Sequence, residues 1–290
     1  MARDGEDAAF WQMTSRPALA DACRRVRRNR SGAGGDGETP EAFAADLAES
    51  IGRLSRELRE GSYRPGPLTR YPIAKPDGRA RWLAVPSFRD RVAQSAAAGV
   101  LSAVAEPHFS PASFAYRPGR SVEHAAGMVT TWRLRGFVHV VDGDIADFFD
   151  SVRHDVVIDR LRAIAGYRTR RLVGLWLRGF GARRSVFTRR GLAQGSPLSP
   201  LLANLVLDPI DHLMDGRRVK FVRYADDFLL MARTPDAAEA ARARLEHELA
   251  AIGLALHAGK TRLARLDDGV DFLGLRFQDA GIVRAGKAPV

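Results

Sequence analysis

Three carboxylates stand where acids are costly. Asp144 closes the apolar run Phe137-Val138-His139-Val140-Val141, and Asp226 with Asp227 interrupts the otherwise apolar text between Lys220 and Ala232. Unpaired carboxylates in apolar surroundings are heavily penalised, so a cation is expected among them. A Lys or Arg would serve. Three carboxylates fed from two strand ends, with no His or Cys beside them, are also what hard Mg²⁺ prefers, because it takes oxygen ligands and leaves room for substrate phosphates. Two such ions, about 3.5–4 Å apart, stabilise the attacking and leaving oxygens of a phosphoryl transfer. That is nucleotidyl-transfer chemistry. Taken alone, Asp226-Asp227 reads equally as a polar turn, where Asp is common.

The elements that must position these acids follow from local pattern. Phe137 to Ile145 is apolar and β-branched, hence a buried strand. Phe221-Val222 and Phe228-Leu229-Leu230-Met231 meet at Tyr224-Ala225-Asp226-Asp227, a hairpin with two acids at its tip. Asp142 shares a face with Asp144 and reads as a supporting or surface acid. Upstream, Thr39 and Pro40 open a helix that carries Phe43, Leu47, Ile51, Leu54 and Leu58 to a stop at Gly61. Tyr71 to Val85 predicts two antiparallel strands with basic tips around Asp77-Gly78. Helices are expected over Ser87–Val104, Val156–Ala165 and Thr169–Phe180 and from Pro235 to Gly253, with short strands around Leu254–His257 and Phe272–Phe277. No internal repeat is visible.

Composition bounds the class. The 290 residues are 46% hydrophobic, enough for one large domain or two small ones with a core. No run approaches the roughly 18 apolar residues of a membrane span, and the start lacks a signal-peptide pattern, so a cytoplasmic protein without membrane contact is expected. Cys23 stands alone, and seven scattered His argue against a zinc site. Lys plus Arg at 45 against 34 acids gives +11, a surplus typical of proteins that meet phosphate backbones, although an Arg-rich proteome gives the same. Arg24, Arg25, Arg27, Arg28 and Arg30 cover more than one helical face and form a candidate polyanion contact. The Gly-rich loop Ser31–Gly37 separates that basic arm from the rest of the chain.

In order, the chain carries a GAGGDG loop, YPIAKPDGRARWLAVPSFRDRVAQ, FSPASFAYRPGRS, VVDGDIADFFDS, GLAQGSPLSPLLANL, RYADDF, GLALHAGKT and FLGLRF. In this it resembles the group II intron-like bacterial reverse transcriptases, from about Gly32 to Phe277. The resemblance implies an α+β right-hand polymerase, with a fingers domain and a palm whose antiparallel sheet with helices carries the acids. It divides the chain into a basic helical extension (1–62), fingers (63–137), a palm (138–278) with an inserted fingers part (about 155–190), and a C-terminal stub (279–290). Thirteen residues follow Phe277, so the thumb is expected to be absent or vestigial.

By position, Asp144, Asp226 and Asp227 match the family's metal-binding acids, the carbonyl of Ile145 a further ligand, and Mg²⁺ or Mn²⁺ the cofactor. Phe149 matches the aromatic gate that excludes a ribose 2′-hydroxyl, while neighbouring Phe148 reads as core. Gln194 matches a nucleotide contact, and Gly195 beside it a close approach to template and primer. Lys75 and Arg81 match the finger cations that hold the triphosphate. Lys260 matches a lysine proposed to protonate pyrophosphate, and Arg117 a template grip. The implied partners are an RNA template, a DNA or RNA primer, and deoxynucleotides.

Ser199-Pro200 stands where diversity-generating enzymes carry Ser-Gln, and the retron Val-Thr-Gly is missing. FSPASFAYRPGRS, GDIADFFDS and RYADDFLLMAR look most like CRISPR-associated reverse transcriptases, which work with CRISPR integrase proteins to capture spacers from RNA. Retron-like, diversity-generating or stand-alone enzymes and a non-catalytic binding module are the alternatives.

Overall fold

The computed structural model describes residues 7–29, 34–74, 80–180, 189–279 and 281–285. In chain order they form α1 (Ala8–Met13), α2 (Arg16–Arg28), α3 (Pro40–Ala45), α4 (Leu47–Glu60), β1 (Thr69–Ala74), β2 (Ala80–Val85), α5 (Phe88–Ala105), α6 (Val122–Leu134), β3 (His139–Asp144), α7 (Phe148–Ser151), α8 (His154–Leu161), α9 (Tyr167–Phe180) and α10 (Ser199–Met214). The remainder is β4 (Val219–Tyr224), β5 (Asp227–Ala232), α11 (Pro235–Ala251), β6 (Arg262–Arg265), β7 (Val270–Phe272), β8 (Leu275–Gln278) and β9 (Gly281–Arg284). They divide into two compact units, Met1–Pro107 with Phe149–Leu205, and His108–Phe148 with Val206–Val290.

In the first unit, Ser15 caps α2 by accepting the Ala18 N–H at 3.3 Å, with Pro in the first turn. Leu19, Ala22, Cys23 and Val26 recur at helical spacing and are buried, and α2 packs on α5. The helix expected from Thr39 to Gly61 is two helices. Asp46 leaves helical backbone (φ −127°, ψ 74°), and its carboxylate accepts the Glu49 N–H at 3.1 Å as the cap of α4. A short acidic side chain competes for backbone donors, which apolar spacing alone does not register. The stop at Gly61, in left-handed backbone, is where the sequence puts it.

β1 and β2 pair from Thr69 opposite Val85 to Ala74 opposite Ala80. The Asp77-Gly78 turn between them lies outside the described residues. The Tyr63 hydroxyl donates to Asp90 Oδ1 at 2.5 Å and accepts from Trp176 Nε1 at 2.9 Å, tying the start of α5 to α9. Burial is the main reason both the Tyr63 hydroxyl and the Asp90 carboxyl are raised above their ordinary pKa.

The second unit is built on an antiparallel sheet of order β4-β5-β3-β6. Strand alternation puts Val140, Asp142 and Asp144 on one face of β3, with Asp227, Leu229 and Met231 as their neighbours on β5. Val140, Val222, Leu229 and Met231 join Ala125, Ala126 and Val129 of α6 and Val270, Phe272 and Phe277 in one buried cluster. α11 packs on all four strands. The strand expected around Leu254–His257 is only a single bridge, Leu256 to Ile145. Phe272–Phe277 spans two strands, broken at Leu273-Gly274, and β9 completes a separate three-stranded sheet.

Candidate active site

The acids meet at one end of the four-stranded sheet. Asp144 is the cross-strand partner of Asp227 on the last rung of β3 and β5, and Tyr224 is the partner of Asp227 on the last rung of β4 and β5. Only Ala225 and Asp226 lie between the paired residues, and Ala225 has φ +61°. A positive φ at the first central residue is the demand of a II′ hairpin turn, usually met by Gly. Both central carbonyls are held. Arg223 Nη1 donates to the Ala225 oxygen at 2.8 Å, and the Ile145 N–H donates to the Asp226 oxygen at 3.2 Å. Gly143, between Asp142 and Asp144, leaves space for the Phe228 ring opposite it. A Cβ there would stand 2.5 Å from that ring.

Asp144 is 7% exposed. Its Oδ2 takes the Lys260 ammonium, its backbone carbonyl accepts the His257 N–H at 2.8 Å, and its buried Oδ1 has no hydrogen-bond partner among the described residues. That hydrogen bond is the first reason the Lys260 pKa is raised, against a lowering from desolvation. Asp227 keeps an exposed surface, yet desolvation of its carboxyl, followed by the charges of Asp226 and Asp144, raises its pKa to about 6 against the pull of Lys260. Asp142 is raised by burial and pulled back by Arg262, whose Nη2 is 3.1 Å from Oδ2.

Among the described residues, no three His, Cys, Asp or Glu side chains are grouped closely enough to hold a metal ion. In this arrangement Lys260 supplies positive charge to Asp144. The donor chemistry fits a hard cation: every donor is oxygen, one buried carboxylate oxygen is unpaired among the described residues, and burial followed by like charge raises the Asp227 carboxyl.

Other expected site residues fall elsewhere. Lys75 lies outside the described residues, and Arg81 is placed only by its backbone, on β2 opposite Ile73. In the first unit the Gln194 carbonyl accepts the Ala84 N–H of β2 at 2.8 Å. Gly195 has φ +132°, and a Cβ there would stand 2.8 Å from the Ala84 carbonyl. The close approach that this glycine permits is thus to β2. Phe149 is 8% exposed and Phe148 2%, so burial does not distinguish a gate from a core ring.

Arg117, expected as a template grip, is folded onto its own loop. Its side chain is buried, with Nη1 donating to the carbonyls of Ser110 (2.5 Å) and Ser113 (2.8 Å) and the guanidinium over the Phe109 ring, so its fork holds its own loop. The basic arm is exposed at Arg24, Arg25, Arg27 and Arg28, but Arg24 pairs with Asp21 and Arg25 donates to the Ser95 carbonyl at 3.3 Å.

Sequence reasoning missed Arg223 and Asp211. Both are fully buried and bonded to each other. The signal was present: an Arg inside Phe221-Val222-Arg223, and an Asp in the apolar text Leu205-Val206-Leu207 to Leu213-Met214.

Comparisons with known proteins place the chain in a family. The family described as reverse transcriptase (RNA-dependent DNA polymerase) matches residues 73–277. Protein YkfC of Escherichia coli (strain K12) is 30% identical over 89% of this chain and 79% of its own length. Group II intron-encoded protein LtrA of Lactococcus lactis subsp. cremoris is 31% identical over 64% of this chain, and the match spans only 31% of LtrA. Among solved structures, apo telomerase from Candida tropicalis, truncated from its C-terminal domain, aligns over 79% of this chain and 58% of its own with TM-score 0.59 and 11% identity, a likeness of fold. A chain of a partial Cas6-RT-Cas1–Cas2 complex is 26% identical over 82% of this chain and 42% of its own, with TM-score 0.48.

Proposed function

Because this chain belongs to the reverse transcriptase family of RNA-directed DNA polymerases, we propose that Asp144, Asp226 and Asp227 form its catalytic centre, extending a primer on an RNA template with deoxynucleotides. The observation that carries this reading is the rung that pairs Asp144 with Asp227, where one buried carboxylate oxygen is unpaired among the described residues and burial with like charge raises a carboxyl. Mg²⁺ or Mn²⁺ bound by these acids and the Ile145 carbonyl would stabilise charge on the attacking and leaving oxygens of the phosphoryl transfer.

On the right-hand reading, with fingers and palm, further residues take a role. Lys75 and Arg81 hold the triphosphate, Phe149 excludes the 2′-hydroxyl, and Gln194 and Gly195 line nucleotide and template. Lys260 carries the proton that leaves with pyrophosphate; its raised pKa keeps it charged while it is bonded to Asp144, and that bond must be given up before the proton is passed on. Arg27 and Arg28, exposed at the end of α2, meet template phosphates. We further propose that the enzyme serves CRISPR spacer acquisition from RNA together with CRISPR integrase proteins, on the strength of its FSPASFAYRPGRS, GDIADFFDS and RYADDFLLMAR texts.

Primer extension on an RNA template with Mg²⁺ or Mn²⁺ tests the core of this reading. Asp226→Asn should leave the melting curve intact and lower the rate more than about a hundredfold, since a lost metal-binding charge removes several kcal/mol of transition-state stabilisation. A variant within tenfold of wild type would refute the assignment.

A further inference from the structure

Arg223 and Asp211 form a buried ion pair whose side chains are 2% and 0% exposed. Arg223 Nε donates to Asp211 Oδ1 at 2.6 Å and Nη2 to Oδ2 at 2.5 Å, a bidentate contact. The same guanidinium reaches two further acceptors, Ser113 Oγ at 2.9 Å and the Ala225 carbonyl at 2.8 Å. Its backbone is fixed as well: the Arg223 N–H donates to the Ala112 carbonyl at 2.8 Å, and the Arg223 carbonyl accepts the Phe114 N–H at 3.0 Å.

Stability alone is a weak reason for such a pair, because well-packed apolar residues of similar volume do as well or better in place of two buried charges. An apolar pair lacks the remaining arm of the fork, which ends on the backbone of the acidic turn. That turn needs an anchor. Ala225 sits at φ +61°, a conformation that a Cβ resists and that persists only where its surroundings impose it. The segment under Arg223 is itself pinned: Asp208 Oδ1 accepts the Ser110 N–H at 2.8 Å, Arg117 bonds the Ser110 and Ser113 carbonyls, and Arg120 Nη1 bonds those of Pro111 (2.8 Å) and Ser113 (3.1 Å).

We propose that the Arg223–Asp211 pair is a positioning device for catalysis: it transmits the fixed frame of α10 and the Ser110–Ser113 segment to the Ala225 carbonyl, and so holds Asp226 and Asp227 in register with Asp144. The proposal rests on the catalytic role given above to those acids. It also accounts for the FSPASFAYRPGRS motif, whose arginines hold the turn's footing.

The decisive variant replaces both partners, Arg223→Met with Asp211→Leu, so that no buried charge is orphaned. It should melt cooperatively near the wild-type temperature and keep the wild-type KM for primer and template. Its kcat should fall at least tenfold, and Mn²⁺ binding, read from the electron paramagnetic resonance of the free ion, should weaken at least fivefold. A folded double variant with wild-type kcat and Mn²⁺ affinity overturns the proposal. If that variant does not fold, Arg223→Lys decides: it retains a charge for Asp211 but not the reach to Ala225, so the same losses are expected, and their absence overturns the proposal. Asp226→Asn assayed alongside separates the two readings. Full activity there refutes the catalytic assignment, whereas an inactive Asp226→Asn beside a fully active double variant refutes only the positioning role.

Discussion

Asp144 and Asp227 face one another as the final cross-strand pair of β3 and β5, and the Lys260 ammonium bonds only one of the two Asp144 oxygens. The sheet thus ends in a concentration of negative charge. Such a site stores electrostatic strain and should show the usual exchange of stability for function.

The strain should appear as a pH effect. The Asp227 pKa of about 6 in the folded chain lies above its ordinary 3.8, so the folded state holds a proton that the unfolded state has already lost. Stability from this group is present below about pH 4 and is lost as the pH rises through 6. Asp227→Asn should therefore raise the melting temperature of chelator-treated protein at pH 7.5 and leave it near wild type at pH 4. Equal shifts at the two pH values would show that the carboxyl is not strained.

Gly143→Ala tests the packing between the two acids of β3. The added methyl meets the buried Phe228 ring, and overpacking of this kind costs roughly 1–3 kcal/mol. Denaturant titration should show that loss, and Phe228→Leu in the same chain should recover much of it. A neutral Gly143→Ala would mean the ring moves aside freely.

Template binding should be salt-dependent through the end of α2. Because Arg24 and Arg25 already have partners in the chain, Arg27→Gln with Arg28→Gln should account for most of the arm's effect on the slope of log affinity against log salt. Each lost phosphate contact on a single strand lowers that slope by about 0.7. An unchanged slope would assign the arm to solvent or to protein.

Sugar choice separates two buried rings that burial does not distinguish. Phe149→Ala should raise ribonucleotide incorporation relative to deoxynucleotide by about 10–100-fold, or roughly 1.4–2.8 kcal/mol of differential transition-state binding. Phe148→Ala should lower stability and leave sugar choice unchanged. Reversed behaviour would mean that the segment from Asp144 to Asp150 is offset by one residue.

The acids were legible in the sequence because a carboxylate in an apolar strand is conspicuous, and the hairpin because two apolar runs flank a short polar tip. Arg223 and Asp211 are conspicuous for the same reason, but each explains the other only once α10 is seen to lie beside β4, a relation no local pattern encodes. α10 itself was hidden by its Pro-rich start and by Pro209 inside the helix. Arg117 shows the opposite limit. Whether an arginine in such a motif reaches outward or folds back on its own carbonyls depends on burial, which spacing does not carry.

The parallel bridge between Ser113 and Arg223 joins residues 110 positions apart. A nascent chain that has emerged as far as Met214 already contains Arg117, Arg120 and Asp211, but nothing yet occupies the place of the guanidinium that joins them to the hairpin. Closing so long a loop costs entropy before any contact rewards it. A ribosome-bound fragment lacking β4 should therefore lack the anchor of the acidic turn, and competence for synthesis should be acquired only once β4 has emerged.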